Sequence, residues 1–250
     1  SLSASFNEMA DRVQRLIGAQ REFVADASHQ LRTPLTALRL RLEEARAAGV
    51  QPALAAELDA GTAEVDRLAA IVDELFVLSR AEDRELKGER VDLPDAVHRA
   101  TKRWDAAAHA HGIALETDGV QPGTVWCAHA DLDRVLDVLI ENALAYSPAG
   151  SEVSIASADG RIEVRDQGPG LAPGEEQIVF ERFHRGHAGR QGPEGNGLGL
   201  AIARTLARAW HGDAHLGNRA GGGGAVAVLE LPATPSAPGQ DHAAMREVAL

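Results

Sequence analysis

Cysteine is nearly absent: one residue, Cys127, stands among 250. That excludes an internal disulfide framework and any zinc site built on cysteine pairs. Aromatic residues make up only 4%, so a core has to be assembled from Leu, Val, Ile and Ala. No apolar run approaches the ~20 residues that span a bilayer, and the start lacks a basic-then-apolar leader pattern. The chain opens on SLSASFNEMADRV, already in helical spacing, and is expected to be a fragment whose upstream part is missing. Positive charge is in deficit, with 25 Lys and Arg against 37 Asp and Glu and a net charge of −12. A nucleic-acid binder would carry a basic patch, and an acidic membrane surface would repel this balance. Proteins and metal-bound nucleotides are the expected partners. A GxxxxGK[ST] loop and a dinucleotide fingerprint are both missing, which excludes P-loop and Rossmann nucleotide chemistry.

What is present begins with two long helical patterns. Between residue 6 and about residue 48 the only interior breakers are Gly18 and Pro34. Phe6, Met9, Val13, Leu16, Phe23, Ala27, Leu31, Leu35, Leu38 and Leu42 recur mostly in steps of three and four, a heptad-like seam. Gly49 and Pro52 punctuate it. Leu54, Leu58, Gly61, Val65, Leu68, Val72 and Leu75 then repeat the spacing up to about Glu82. Two such helices make a hairpin, and two helices cannot enclose so long a seam. Pairing two hairpins into a four-helix bundle can, so a homodimer is expected.

The texture changes after a charged, Gly-containing linker at 84–90. Strands are expected at Glu89–Leu93, Ile113–Thr117, Val125–Ala128, Glu152–Ala156, Arg161–Arg165, Ala214–Gly217 and Ala225–Leu231. Helices are expected at Pro94–Ala110, Leu132–Tyr146 and about Leu200–Trp210. Asp159-Gly160 reads as a hairpin turn. The mixture predicts an α+β layer sandwich, and the Pro-bearing stretch 233–250 a disordered tail.

In the first helix, with Ala27 at the centre of the buried face, His29 lies about 200° round at ~100° per residue and faces outward. Asp26 and Thr33 fall on nearly the same side. Pro34 removes a donor in mid-helix, frees the Gln30 carbonyl and is expected to bend the helix beside this imidazole. Ser28-His29-x-Leu31-Arg32-Thr33-Pro34-Leu35 resembles the phosphoacceptor box of sensor histidine kinases. The resemblance implies phosphorylation of His29 on an imidazole nitrogen, with Thr33 orienting water when the phosphorylated partner is hydrolysed. That partner is a response regulator receiver domain, docking near Ala25, Leu31 and Leu35. The family usually carries Glu or Asp directly after the histidine as the proton acceptor. Here Gln30 stands there, and an amide accepts no proton at neutral pH. Gln30 can orient the ring, and Asp26 is a candidate substitute base.

A second constellation follows in order. Asn142 stands in Leu139-Ile-Glu-Asn-Ala143, then come Asp166-x-Gly168-x-Gly170, Phe180-Glu-Arg-Phe183-x-Arg185, Gly195-Asn-Gly197-Leu198-Gly199, and Gly221–Gly224. The set resembles the N, G1, F, G2 and G3 boxes of the histidine kinase ATP-binding domain, a fold shared with gyrase, the Hsp90 chaperone and the MutL repair protein. It implies ATP and Mg²⁺ as cofactors. Asp166 would accept from the adenine amine, and Gly168 and Gly170 would let backbone approach the ring. Asn142 would be the hard oxygen ligand for magnesium, with Tyr146 retained in pattern. Backbone N–H groups at Gly197, Leu198 and Gly199, opening the helix that continues from Leu200, would hold phosphate oxygens. Residues from about 171 to 194 would form a lid anchored by Phe180 and Phe183, with Arg185 neutralising phosphate charge. Val138 and Ala145 depart from the pattern, where a second Asn and a basic residue are usual. The pairs His184/His187 and His109/His111 lack a third ligand and read as non-functional.

The resemblance divides the chain into the end of a HAMP-like relay helix (1–22), a dimerisation and phosphotransfer domain (23–83), the linker (84–90), a catalytic ATP-binding domain (91–232) and the tail (233–250). It implies the cytoplasmic portion of an inner-membrane sensor that autophosphorylates and passes the phosphoryl group to a receiver aspartate. A catalytically weak dimeric scaffold and a non-kinase ATPase of the same superfamily stand as alternatives.

Overall fold

The periodicities above become two units, divided between Arg84 and Glu85, in a computed structural model that describes residues 27, 30–80, 86–187, 189 and 196–233. The proposed relay helix, Ala25, Asp26, His29, Gly195 and nearly all of the tail lie outside the described residues.

The first unit is a helical hairpin. Helix α1 is described over 30–47 and runs through Pro34 without interruption; α2 spans Pro52–Arg80. Ala55, Val65, Val72 and Leu78 are buried, whereas Leu31, Leu38, Leu54 and Leu68 stay exposed. Arg32, Arg39 and Arg46 step by seven along α1. They meet Asp73, Asp66 and Asp59, which step by seven the other way along α2. The contacts are 3.0 Å from Arg32 Nε, 3.3 Å from Arg39 and 3.0 Å from Arg46. Each exposed pair is worth at most about 1 kcal/mol. The ladder's effect is on register, because a slip of one residue breaks all three at once.

The second unit is an α+β sandwich, as the strand and helix pattern implied. Strand β1 (Glu89–Asp92) pairs antiparallel with β3 (Thr124–Cys127). The main sheet has the order β2-β4-β5-β7-β6, built from β2 (Ala114–Val120), β4 (Glu152–Ala158), β5 (Arg161–Arg165), β6 (Asp213–Asn218) and β7 (Ala225–Glu230). Only β2 and β4 run parallel; the other neighbours are antiparallel. Alternate residues Val153, Ile155, Ile162 and Val164 are buried, the period-two signature of a sheet with one covered face. Helices α3 (Leu93–Ala110), α4 (His129–Tyr146) and α6 (Gly199–Ala209) supply the cover. A short α5 (Glu175–Ile178) precedes α6. Leu93, Leu136, Ile140, Leu198, Ile202 and Leu229 fill the interior.

Local chemistry explains most boundaries. Asp92 caps α3 by accepting from Asp95 N–H at 3.0 Å, with Pro94 in the first turn. Asp159 and Gly160 both have positive φ (49° and 81°) and close the β4–β5 hairpin. Helix α4 begins three residues before the expected Leu132. Its first turn is held by a tertiary contact, since buried Asp131 accepts from Trp210 Nε1 at 2.6 Å. Strand β2 runs to Val120, past the expected Thr117, across an irregularity between those two residues.

Candidate functional site

The strongest cluster in the second unit forms around Asp166, which follows β5. This carboxylate is 5% exposed. Its Oδ1 accepts two backbone N–H groups, from Gly168 at 2.8 Å and from Ala225 at 2.9 Å; no described residue bonds Oδ2. Burial raises its pKa above the ordinary carboxylate value, opposed by those two bonds and by the Arg219 charge. The acid is thus fixed by one oxygen, and its other oxygen can accept from a ligand.

Two glycines set the shape of this corner. A Cβ at Gly168 would stand 2.7 Å from the Tyr146 carbonyl oxygen and 3.1 Å from Asp166 Oδ1. At Gly224 (φ 113°) it would stand 2.0 Å from the Asp166 carbonyl oxygen. Both positions need backbone at a distance that any side chain forbids. The last glycine of the 221–224 run therefore buttresses Asp166.

Helix α4 lines the same region with Val138, Asn142 and Tyr146, spaced four apart and so on one face. Val138 Cγ1 lies 3.3 Å from the Cβ position of Gly199, at the start of α6, and Tyr146 Oη lies 2.8 Å from that of Gly189. With the Tyr146 carbonyl against Gly168, one helix face touches the Asp166 loop, the lid segment and the opening of α6. Asn142 stands between, half-buried, with no hydrogen-bond partner among the described residues. Its amide oxygen suits a hard divalent cation that arrives with phosphate. Among the described residues no group of three or more His, Cys, Asp or Glu is placed to hold a metal ion.

Helix α6 opens at Leu198, which is fully buried, without a side-chain cap of the usual kind. Asn196 Oδ1 accepts from Leu198 N–H at 3.1 Å. The following amides, Gly199 and Leu200 among them, sit at the positive end of an 11-residue helix. Gly197 is tied to the lid, since Phe183 N–H donates to its carbonyl at 2.9 Å.

The two expected lid anchors differ. Phe180 is buried, with the Arg204 guanidinium 4.9 Å over its ring. Arg204 is itself held by Asp213, at 2.8 and 3.1 Å. Burial works against the Asp213 charge, but bonds from Arg204, Arg208 and Ala214 outweigh it and hold its pKa well below the usual range. Phe183 is 61% exposed at φ 62°; it holds the segment through its backbone N–H, and its ring packs on nothing that buries it. Its backbone is taken up by Gly197, which leaves the ring in solvent. Arg185 Nη2 donates to the Gly189 carbonyl.

Several residues of this site escaped the sequence reading. Glu175 is buried and accepts from Ala172 N–H at 3.0 Å and His187 N–H at 2.5 Å, so it ties the start of the lid to its later part. Asn218 bonds Leu171 twice, and Arg219 Nη1 donates to the Asp166 carbonyl at 3.0 Å. No local motif announces such partners, which lie 12, 47 and 53 positions apart.

In the first unit, Gln30 and Thr33 are exposed on α1. Arg32 of the same motif is committed to Asp73 and stacks 5.7 Å over Phe76.

Known proteins resemble both units. A family profile described as "His Kinase A (phospho-acceptor) domain" matches residues 19–84, and one described as "Histidine kinase-, DNA gyrase B-, and HSP90-like ATPase" matches 128–235. The signal transduction histidine-protein kinase AfsQ2 of Streptomyces coelicolor is 35% identical over 96% of this chain and 48% of its own length. The sensor-like histidine kinase SenX3 of Mycobacterium tuberculosis is 37% identical over 88% of this chain and 55% of its own. The histidine-protein kinase/phosphatase MprB of Mycobacterium avium is 33% identical over 82% and 41%. The chain thus spans about half the length of these relatives. Among solved structures, full-length ShkA in complex with AMPPNP matches with a TM-score of 0.71 at 27% identity, over 87% of this chain and 47% of that one. The mycobacterial sensor histidine kinase MprB matches with a TM-score of 0.51 at 29% identity, over 59% and 99%.

Proposed function

The chain belongs to the sensor histidine kinases of two-component systems, and from that membership we propose that it transfers the γ-phosphoryl group of ATP to its own His29. The observation that carries the nucleotide half is Asp166, a buried carboxylate fixed by one oxygen beside a backbone that only glycine can form. An acceptor held this way selects the exocyclic amine of adenine over the carbonyl of guanine. The amides opening α6 receive phosphate oxygens. Asn142 contributes an oxygen ligand to Mg²⁺, which when bound neutralises phosphate charge. Phe180, held by Arg204, keeps the lid rooted.

In the transfer, an imidazole nitrogen of His29 bonds to the γ-phosphorus as the bond to the ADP oxygen breaks in line. The ring's proton leaves to a base. Gln30 cannot be that base, and Asp26 is the nearest acid in sequence on the same face. The phosphoryl group then passes to an aspartate of a response regulator receiver domain docked near Ala25, Leu31 and Leu35, and Thr33 orients water for the reverse, phosphatase function. The exposed leucines of the hairpin, Leu31, Leu38, Leu54 and Leu68, support a homodimeric four-helix bundle built from residues 23–83, with the catalytic domain over 91–232. A membrane sensor module upstream, joined through a HAMP-like helix at 1–22, completes the proposal and puts this portion in the cytoplasm.

The test is incubation with γ-labelled ATP and Mg²⁺. Acid-labile, alkali-stable label that disappears in His29→Gln supports the proposal. No label at high protein concentration, with ATP still bound, leaves a nucleotide-binding scaffold instead. Label that persists in His29→Gln moves the phosphosite.

A further inference from the structure

The loop 166–171 carries the proposed adenine contacts, yet its own residues supply few of the bonds that hold it. The segment that leaves β6 grips it at both ends. At the first end, Arg219 Nη1 donates to the Asp166 carbonyl at 3.0 Å. At the far end, Leu171 N–H donates to Asn218 Oδ1 at 2.6 Å, and Asn218 Nδ2 donates back to the Leu171 carbonyl at 3.0 Å. The Cβ position of Gly170, between these ends, lies 2.4 Å from Asn218 Oδ1, so the amide packs directly under the second glycine of the loop. An asparagine used in this way is a two-point clamp. It needs one acceptor and one donor on the same planar group, and among side chains of this length only Asn offers both.

We propose that Asn218 is a positioning residue for nucleobase recognition, which holds Gly170 and Leu171 so that the Asp166 loop keeps the shape that admits adenine. The inference rests on the ATP-site reading above and goes beyond it, because Asn218 acts from β6 and through backbone alone. Leu171 is also the first lid residue. The clamp therefore sits at the junction of the nucleobase loop and the segment that follows it, and its loss leaves that end of the loop without its side-chain anchor.

The experiment uses the full chain with Asn218→Ala and Asn218→Asp. Equilibrium binding of ATP and GTP with Mg²⁺ is measured alongside autophosphorylation rates across ATP concentration. Two partly exposed hydrogen bonds give an expected loss of about three- to tenfold in ATP affinity for Asn218→Ala. KM rises by the same factor, the rate at saturating ATP stays within about twofold, and the preference for ATP over GTP narrows. Asn218→Asp keeps an acceptor for Leu171 N–H but turns a second, charged oxygen toward the Leu171 carbonyl, and loses at least as much. ATP affinity within twofold of the unaltered chain in Asn218→Ala overturns the proposal, as does a fall in saturated rate without a change in KM. Should Asn218→Ala fail to fold, Asn218→Asp decides: an unchanged affinity overturns, a weakened affinity with a narrowed ATP preference supports. An unaltered chain that binds no ATP refutes the nucleotide reading itself, and this inference with it.

Discussion

In the proposed ATP site Asp166 has two jobs for one side chain, and two substitutions separate them. In Asp166→Ala, the buried N–H groups of Gly168 and Ala225 lose their acceptor, which each holds at 2.8–2.9 Å. An unsatisfied buried donor costs about 1–3 kcal/mol, so the pair predicts a loss of about 2–6 kcal/mol and a thermal midpoint lowered by roughly 10 °C. Asp166→Asn keeps an oxygen where Oδ1 stands, so both bonds survive. It also removes a charge that burial disfavours. Because the folded pKa of Asp166 is raised, the ionised form is penalised at neutral pH, and that penalty is relieved as pH falls through the raised value. Asp166→Asn is therefore expected to be at least as stable as the unaltered chain at pH 7 and to lack this acid-side gain. Its effect falls on the ligand, because an NH₂ now faces the adenine amine where an acceptor was. Loss of one charge-assisted bond is worth about 1.5–3 kcal/mol, or roughly 10- to 150-fold in ATP affinity. Thermal melts and nucleotide titration on the two variants read the two quantities separately. ATP affinity in Asp166→Asn within threefold of the unaltered chain would refute the acceptor role. Equal stability of the Ala and Asn variants would refute the hydrogen-bond accounting.

Three further outcomes are expected. Burial pushes the Cys127 thiol up to about 12, with Glu89 and Asp133 adding to the shift; a disulfide reagent should therefore label it only after denaturation at neutral pH, and rapid labelling of the folded chain would contradict its burial. The same shift favours the neutral thiol in the fold, so stability should decline as pH rises from about 9 towards about 12. Leu54→Glu with Leu68→Glu places charges on the exposed stripe of α2 and should convert a dimer to monomer in sedimentation; a persistent dimer would place the interface elsewhere.

What could be read from the chain was local or periodic. The β4–β5 hairpin followed from Asp159-Gly160 and the alternation on either side, and α2 followed from its steps of three and four. What could not be read depended on partners far away in sequence. Asp131 lay one residue outside the expected helix at Leu132–Tyr146, yet it is buried and accepts from Trp210 Nε1, 79 positions away. Asn218 and Arg219 sit in an unremarked stretch before a glycine run, and only folding brings them to Leu171 and Asp166. Phe183 differs from its expected form for a related reason. Its spacing from Phe180 suggested a second anchor, but the bond from its N–H to the Gly197 carbonyl fixes the backbone at positive φ and leaves the ring in solvent.

The two departures on α4 bear differently on activity once their positions are known. Val138 replaces a usual amide, and its side chain is buried against Gly199. An apolar group there packs the opening of α6 onto α4 and holds in place by contact the amides proposed to receive phosphate, where an amide would act by hydrogen bonding. Ala145 replaces a usual cation and is exposed; there the change removes one positive charge and leaves no buried group unsatisfied. Exposed charges are screened within about 10 Å at ordinary salt, so its loss would weaken the attraction for phosphate at the proposed site without disturbing the buried packing. Asn142 and Tyr146 retain the face between Gly199 and Gly168. Of the two departures on this helix, only Ala145 therefore argues for weaker binding at the proposed nucleotide site, and Gln30, beside the proposed phosphoacceptor, is the substitution that bears on the proposed chemical step.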